Sequence, residues 1–221
     1  MNALRLILGI VALSGATVLK AGTLTYDAGN DGLNAPAGVT FSAGGSDLPG
    51  MGESYWGLKF LGLIYEPQGT GLEIRIDHGL TLTFATPQIF DYLTLGLLFD
   101  GPEYDDNRER AGAFANGSSA PFSLTAIGAT AAEWSFSGAT VLNLSPANTL
   151  ANGVWKVTNP FGNLAITSLR LSPLLANTPN RSESDFGLVA FSTRSVPDLA
   201  STASILALAL ALLISVKRRQ S

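Results

Sequence analysis

Between Asp100 and Glu109 the chain sets five carboxylates and one amide into ten consecutive positions, Asp-Gly-Pro-Glu-Tyr-Asp-Asp-Asn-Arg-Glu. Hard oxygen donors at this density suit calcium, which takes about 6–8 oxygens from carboxylates, amides and carbonyls. Asp100, Glu103, Asp105 and Asp106 are the candidate ligands, on a Gly-Pro loop after the apolar residues that end at Phe99. The spacing is not that of an EF-hand, because Asp-x-Asp-x-Asp-Gly and a closing Glu are missing. Arg108 and Arg110 offset part of the charge, so a solvated acidic loop is the competing reading.

Aromatic side chains are the second chemical resource. Sugar faces stack on exposed aromatic rings, and Trp56 and Tyr104 are the candidates for such a platform. Trp56 stands beside Tyr55 after a Gly50-Met51-Gly52 turn, whereas Trp134 and Trp155 fall in short apolar stretches that call for core residues. Hydrolytic chemistry has thin support. His78 is the only histidine, lies in Asp77-His78-Gly79, and reads as an exposed turn residue. No Gly-x-Ser-x-Gly elbow accompanies it, and one histidine cannot build a histidine-based zinc site. A pair of unmarked carboxylates acting on a polysaccharide is the alternative that the acid content leaves open.

The elements expected to carry these residues are strands. Short apolar or alternating stretches recur between Gly, Asn, Asp and Pro clusters, at 23–26, 39–42, 55–60, 72–77, 80–85, 90–99, 122–127, 132–136, 141–144, 153–158, 164–171 and 186–193. Leu80-Thr81-Leu82-Thr83-Phe84 alternates strictly, and residues 74–80 suggest a hairpin turning at Asp77-His78-Gly79. Nothing in the region holds a helical period over three turns. Some twelve strands are too many for one flat sheet, so two packed sheets are expected. An all-β, jelly-roll-like β-sandwich fits better than a propeller, since no fixed repeat period is visible.

Both ends of the chain differ from this body. Arg5 precedes an apolar stretch at 6–18, broken by Gly9 and Gly15, which suits a signal peptide over residues 1–21. Ser14-Gly15-Ala16 offers one small-x-small cleavage point, and Ala21 a second. At the other end Val196-Pro197-Asp198 is followed by Ser201-Thr202, an apolar run and Lys217-Arg218-Arg219. Residues 199–216 would make about 27 Å of helix, enough to cross a thin hydrocarbon core. The basic trio then stays on the cytoplasmic side and the body lies outside.

This order of motif, apolar helix and basic cluster resembles the C-terminal sorting signals of the PEP-CTERM type, most closely the VPDSG-CTERM variant. Here Leu199-Ala200 stand where that variant usually carries a small pair. The resemblance implies that an exosortase-like protease cuts near Val196-Pro197-Asp198, so that the protein passes through an inner-membrane intermediate to the cell surface or extracellular matrix. A second similarity, to PEP-CTERM-type ectodomains, runs through residues 91–96, 153–169 and 184–188, including Gly153-Val154-Trp155-Lys156-Val157-Thr158 and Asp185-Phe186-Gly187-Leu188. It implies a carbohydrate-binding-like β-sandwich and offers no active-site residue.

The body, residues 22–195, is long enough for one domain with its own core, and the chain has no cysteine to staple it. Setting aside Arg5, Lys20, Lys217, Arg218 and Arg219 from 13 basic residues, and Asp198 from 17 acidic ones, leaves 8 and 16. A net charge of −8 on the body disfavours nucleic acid and suits cations or neutral glycans. The expectation is an exported, non-enzymatic structural or glycan-binding protein, whose partners are the processing protease, the membrane and an extracellular polysaccharide. A reporter fused after Ser221 should then stay active only in the cytoplasm, and one placed before Val196 only outside. Periplasmic activity of the C-terminal fusion would overturn the topology.

Overall fold

The computed structural model describes residues 22–45, 47–54, 57–64, 73–74, 78–99, 109–128, 130–145, 153–174 and 185–196. The chain divides into a body, Thr23–Ser195, and a second unit of the two terminal segments, of which only Gly22 and Val196 are described. The body is all-β and antiparallel. Its twelve described strands are β1 (Thr23–Asp27), β2 (Val39–Ala43), β3 (Leu48–Glu53), β4 (Lys59–Ile64), β5 (Leu80–Gly96), β6 (Arg110–Ala115), β7 (Phe122–Gly128), β8 (Ala131–Trp134), β9 (Thr140–Asn143), β10 (Trp155–Thr158), β11 (Ile166–Pro173) and β12 (Gly187–Ser195). A four-residue helix, α1 (Ala28–Asp31), follows β1.

One ladder connects every strand, and β5 is the reason. Its first half pairs with β2 on one side and β11 on the other, Leu82 lying opposite Phe41 and Leu169. Its second half pairs with β10 and β12, Leu93 lying opposite Val157 and Phe191. One wing continues from β11 through β6 and β7 to β8, and the other from β12 to β1 and β4 and from β10 to β9. Twelve strands are described, but they are not the twelve expected: two of the expected strands are one strand of 17 residues, and the sheet is continuous and open.

Between the halves β5 turns a corner. Leu80, Leu82 and Phe84 are buried in alternation, Ala85, Thr86 and Pro87 are all exposed, and burial resumes at Gln88 and Phe90. Pro87 has no amide hydrogen for a ladder, so it is tolerated only where pairing lapses. Six residues of straight strand would hold Phe84 and Phe90 about 20 Å apart. Their rings instead meet edge to face at 5.7 Å. Both wings therefore deliver side chains into one core, where Tyr26 of β1 touches Phe41 of β2 at 5.1 Å and Phe191 of β12 at 5.5 Å.

Several sequence expectations change here. Of the anticipated hairpin at 74–80, residues 75–77 lie outside the described residues; Ile74 bridges to Phe186, and Leu80 has Ala43 of β2 and Leu171 of β11 at its two edges. The Gly50-Met51-Gly52 turn is the middle of β3, and Gly52 lies directly opposite Phe60. A Cβ on Gly52 or Gly187 would come within 2.2 or 2.4 Å of the Phe60 ring, so these glycines are the floor on which that ring lies. Of the expected strand at 55–60, Tyr55 and Trp56 lie outside the described residues and Lys59 and Phe60 open β4, while Arg110–Ala115, too rich in Ala and Gly to show an apolar pattern, pairs between β11 and β7. The expected strand at 90–99 ends at Gly96, where Leu97 takes a left-handed φ of 68°.

Polar groups lock the corner. Gln88 and Thr193 are buried, the Thr193 hydroxyl donates to Gln88 Oε1 at 3.0 Å, and Gln88 Nε2 donates to the Thr86 carbonyl and hydroxyl at 3.0 and 2.9 Å. Removing one member strands the other away from water. Gln88→Leu and Thr193→Val should each lower stability by about 1–3 kcal/mol, and the double variant by clearly less than the sum. Urea unfolding of the body measures all three; strict additivity would show that the pair is not coupled.

Candidate functional site

Most of the residues singled out by sequence lie outside the described residues. These are Asp100, Glu103, Tyr104, Asp105, Asp106 and Trp56, together with Pro197, Asp198, Ser201, Thr202, Lys217, Arg218 and Arg219; the signal peptide and the apolar run at 199–216 do too. Val196 is described and directly follows β12. Among the described residues no helix is long and apolar enough to cross a membrane, and no group of three or more His, Cys, Asp or Glu is placed to hold a metal ion.

The two ends of the acidic segment are fixed in detail. The Phe99 N–H donates to Glu109 Oε2 at 2.6 Å, and the Glu109 N–H donates back to the Phe99 carbonyl at 3.3 Å. Glu109 is buried, and its own carbonyl accepts from Ala126, which ties the segment's end to β7. One of the five carboxylates in the run is thus a clamp at the base of the loop. Leu98 continues the tie by donating to the Gly153 carbonyl at 3.1 Å.

Trp134 and Trp155 are core residues, as their strand context suggests. Their indole N–H groups donate to the Pro160 carbonyl at 2.6 Å and the Leu98 carbonyl at 2.8 Å. Each buried ring thus has its polar edge satisfied, as burial requires. Neither indole is available as a stacking platform.

His78 is not the exposed turn residue the sequence suggests. Its Nδ1 contacts the carboxylate of Asp47, whose side chain is only 2 % exposed while that of His78 is 30 % exposed. Gly44 and Gly79, whose N–H and carbonyl bond at 3.1 Å, bring the two loops together. Sequence reasoning missed Asp47 because it is 31 positions away, and only the β2–β5 pairing brings the two within reach. The arrangement holds and orients an imidazole, which is part of what a nucleophile-activating triad needs. The chain still lacks the Gly-x-Ser-x-Gly elbow that would supply the nucleophile in that family of enzymes.

A third polar group surrounds α1. Asp27 caps the helix by accepting from the Gly29 N–H at 2.8 Å, and its own N–H donates to Asp31 Oδ2 at 2.7 Å. Beside it the buried Tyr26 hydroxyl donates to the Gly32 carbonyl at 2.8 Å. Burial raises the Tyr26 pKa far above that of a free tyrosine, with smaller contributions from the negative charges of Asp31 and Asp27. Tyr92 is raised by the same causes, burial first and then Asp27. Both carboxylates are committed to the cap. The signal in the sequence is Asp27 before Ala-Gly-Asn-Asp, a helix-start pattern.

Comparison with known proteins returns nothing similar to this chain: no family model, no curated protein and no solved structure matches it. The candidate site is therefore judged on its own geometry. The described residues offer a loop clamp, an oriented histidine and a capped helix, and the proposed calcium and glycan residues lie outside them.

Alkaline pH tests the Tyr26 environment. A tyrosine whose folded pKa is raised contributes full stability below its unfolded pKa of about 10 and loses it as pH rises above that value. The urea midpoint should hold up to about pH 9 and fall above about pH 10. Tyr26→Phe should start lower, having lost the bond to Gly32, and fall less steeply. Equal slopes for the two proteins would exclude Tyr26 as the source.

Proposed function

We propose that this chain is an exported cell-envelope or extracellular-matrix protein, trimmed at its tail by an exosortase-type protease. Its ectodomain would be a jelly-roll-like β-sandwich with a structural or glycan-binding role and no catalytic one. The observation that carries the reading is the composition of the tail. Val196-Pro197-Asp198, the apolar run at 199–216 and Lys217-Arg218-Arg219 follow one another without a linker, directly after the last strand of the body.

Physical chemistry supports a cut at that place. Pro197 lacks an amide hydrogen and turns Val196 away from helical geometry, so the motif favours an extended segment between strand and membrane helix. β12 is held by β1 on one side and by β5 on the other, and a cut beyond Ser195 removes none of that pairing. The body would keep its fold after release. The sandwich reading is supported by the corner in β5, which turns one open ladder into two wings around a common core. For a ligand, the proposal is an extracellular polysaccharide at Trp56 and Tyr104, with calcium at Asp100, Glu103, Asp105 and Asp106 as an accessory ion.

Intact-mass measurement of the mature protein from its native host tests the processing. The expected mass lacks the signal peptide, Lys217-Arg218-Arg219 and most of the apolar run. Pro197→Ala with Asp198→Ala should leave the full-length tail in the membrane. A native protein that still ends at Ser221 would replace the sorting reading with a permanent single-span anchor.

A further inference from the structure

Several strands have a single ladder partner, and β9 differs from the others in how its outer edge is finished. β3 contains Pro49 and ends on Glu53, β8 contains Glu133, and β1 leads through Asp27 into α1. Charges, prolines and interrupted ends of this kind keep a free edge from recruiting another strand. β2 exposes only Thr40 and Ser42. The stretch from Thr140 to Ser145 has no such device. No charged residue stands between Glu133 and Lys156, and Leu142 and Leu144 are 57 % and 45 % exposed.

The hydrogen-bond phase of β9 shows which groups that edge presents. The Leu144 N–H donates to the Val154 carbonyl at 2.8 Å, and the Asn159 N–H donates to the Asp91 carbonyl at 2.8 Å. In an antiparallel ladder such bonds recur at alternate residues. Leu142 and Thr140 therefore bond to β10, whose Trp155 and Val157 bond to β5 on the far side. Val141 and Asn143 are left with their N–H and C=O groups directed away from β10, and among the described residues no strand meets them. Leu142 and Leu144 stand on the same face as Lys156, opposite the face on which Val141 joins the core.

We infer that this edge is a self-association site, where β9 of a second copy of this chain adds antiparallel across a two-fold axis at Leu142. The register follows from the phase. The Val141 N–H and carbonyl pair with those of the partner's Asn143, and Asn143 pairs with the partner's Val141, so the groups left open are all used. Leu142 then faces the partner's Leu142 as a non-hydrogen-bonded pair, with Cα atoms about 4.5 Å apart. Leu144 faces the partner's Thr140 and lies diagonal to the partner's Leu142, so the exposed leucines of both copies form one apolar row. A two-fold contact puts the same patch on both sides, and an uncharged edge meets its own copy without repulsion although each body carries −8. Lys156, opposite Leu142 on β10, stays three strand spacings or about 14 Å from its counterpart, beyond the Debye length of about 8 Å. Its ammonium is held over the Tyr92 ring at 4.0 Å.

The chain has no cysteine, so the register can be read with single substitutions. The full-length chain, purified in mild detergent, is oxidised with diamide as Leu142→Cys, Thr140→Cys or Leu144→Cys, and disulfide dimers are measured on a non-reducing gel. Leu142→Cys should cross-link to its own copy. The other two should not, since each lies about 13 Å along the strand from its counterpart. Mixing Thr140→Cys with Leu144→Cys should restore the cross-link. Val141→Pro in the Leu142→Cys background removes an outward donor and no bond to β10, and should lower the yield at least tenfold. Leu144→Lys, which keeps every backbone bond, should lower it too. Equal yields at all three single positions would show random collision and overturn the site. Absence of a cross-link at Leu142→Cys, whether the edge is closed or takes a strand of another protein, overturns it as well.

Discussion

The body is organised by a single constraint: β5 has to serve both wings of the sheet. A strand of 17 residues with partners on both sides of each half cannot run straight and still bury Phe84 and Phe90 in one core. The corner at Ala85, Thr86 and Pro87 resolves that conflict by giving up ladder bonds where the side chains are exposed. Giving up those bonds is tolerable only if the backbone and side-chain groups beside the corner find other partners. Gln88 does this for Thr86 and Thr193, so a buried amide replaces the regular pairing where the strand changes wing.

From that corner the packing follows. Tyr26, Phe41, Phe84, Phe90 and Phe191 form a chain of ring contacts at 5.1–6.2 Å that crosses from one wing to the other. Phe90 passes the contact on to Phe161 at 5.3 Å, and Phe161 to Phe122 and Trp134 at 4.9 and 5.8 Å. Rings of this size dominate apolar burial, and edge-to-face geometry adds to it. The chain needs no disulfide because this aromatic network connects strands that are distant in sequence. Small residues complement it. Gly52 and Gly187 leave the space that Phe60 fills, and Ala111, Ala113 and Ala115 keep β6 thin where β11 and β7 close on it.

A buried Glu109 clamps the base of the acidic segment after Phe99, and the Asp47 carboxylate holds the His78 imidazole where the β2–β5 pairing brings the two together.

The sequence by itself determined the all-β class of the body. Alternation in Leu80-Thr81-Leu82-Thr83-Phe84 predicts a half-buried strand, and the strand is there, because the period of two depends on local geometry alone. The tail is likewise legible as a run of types: motif, apolar stretch and basic cluster need no partner to be recognised. What the sequence could not supply was every feature that depends on a distant partner. The merging of two expected strands into β5 depends on which neighbours flank it. β3 and β6 are concealed by glycines and alanines whose value lies in what packs on them. Asp47 meets His78, and Glu109 closes on Phe99, only because strands far apart in the chain are paired. Those choices were made by the tertiary structure, since pairing energy is collected between segments and leaves no periodic mark within either one.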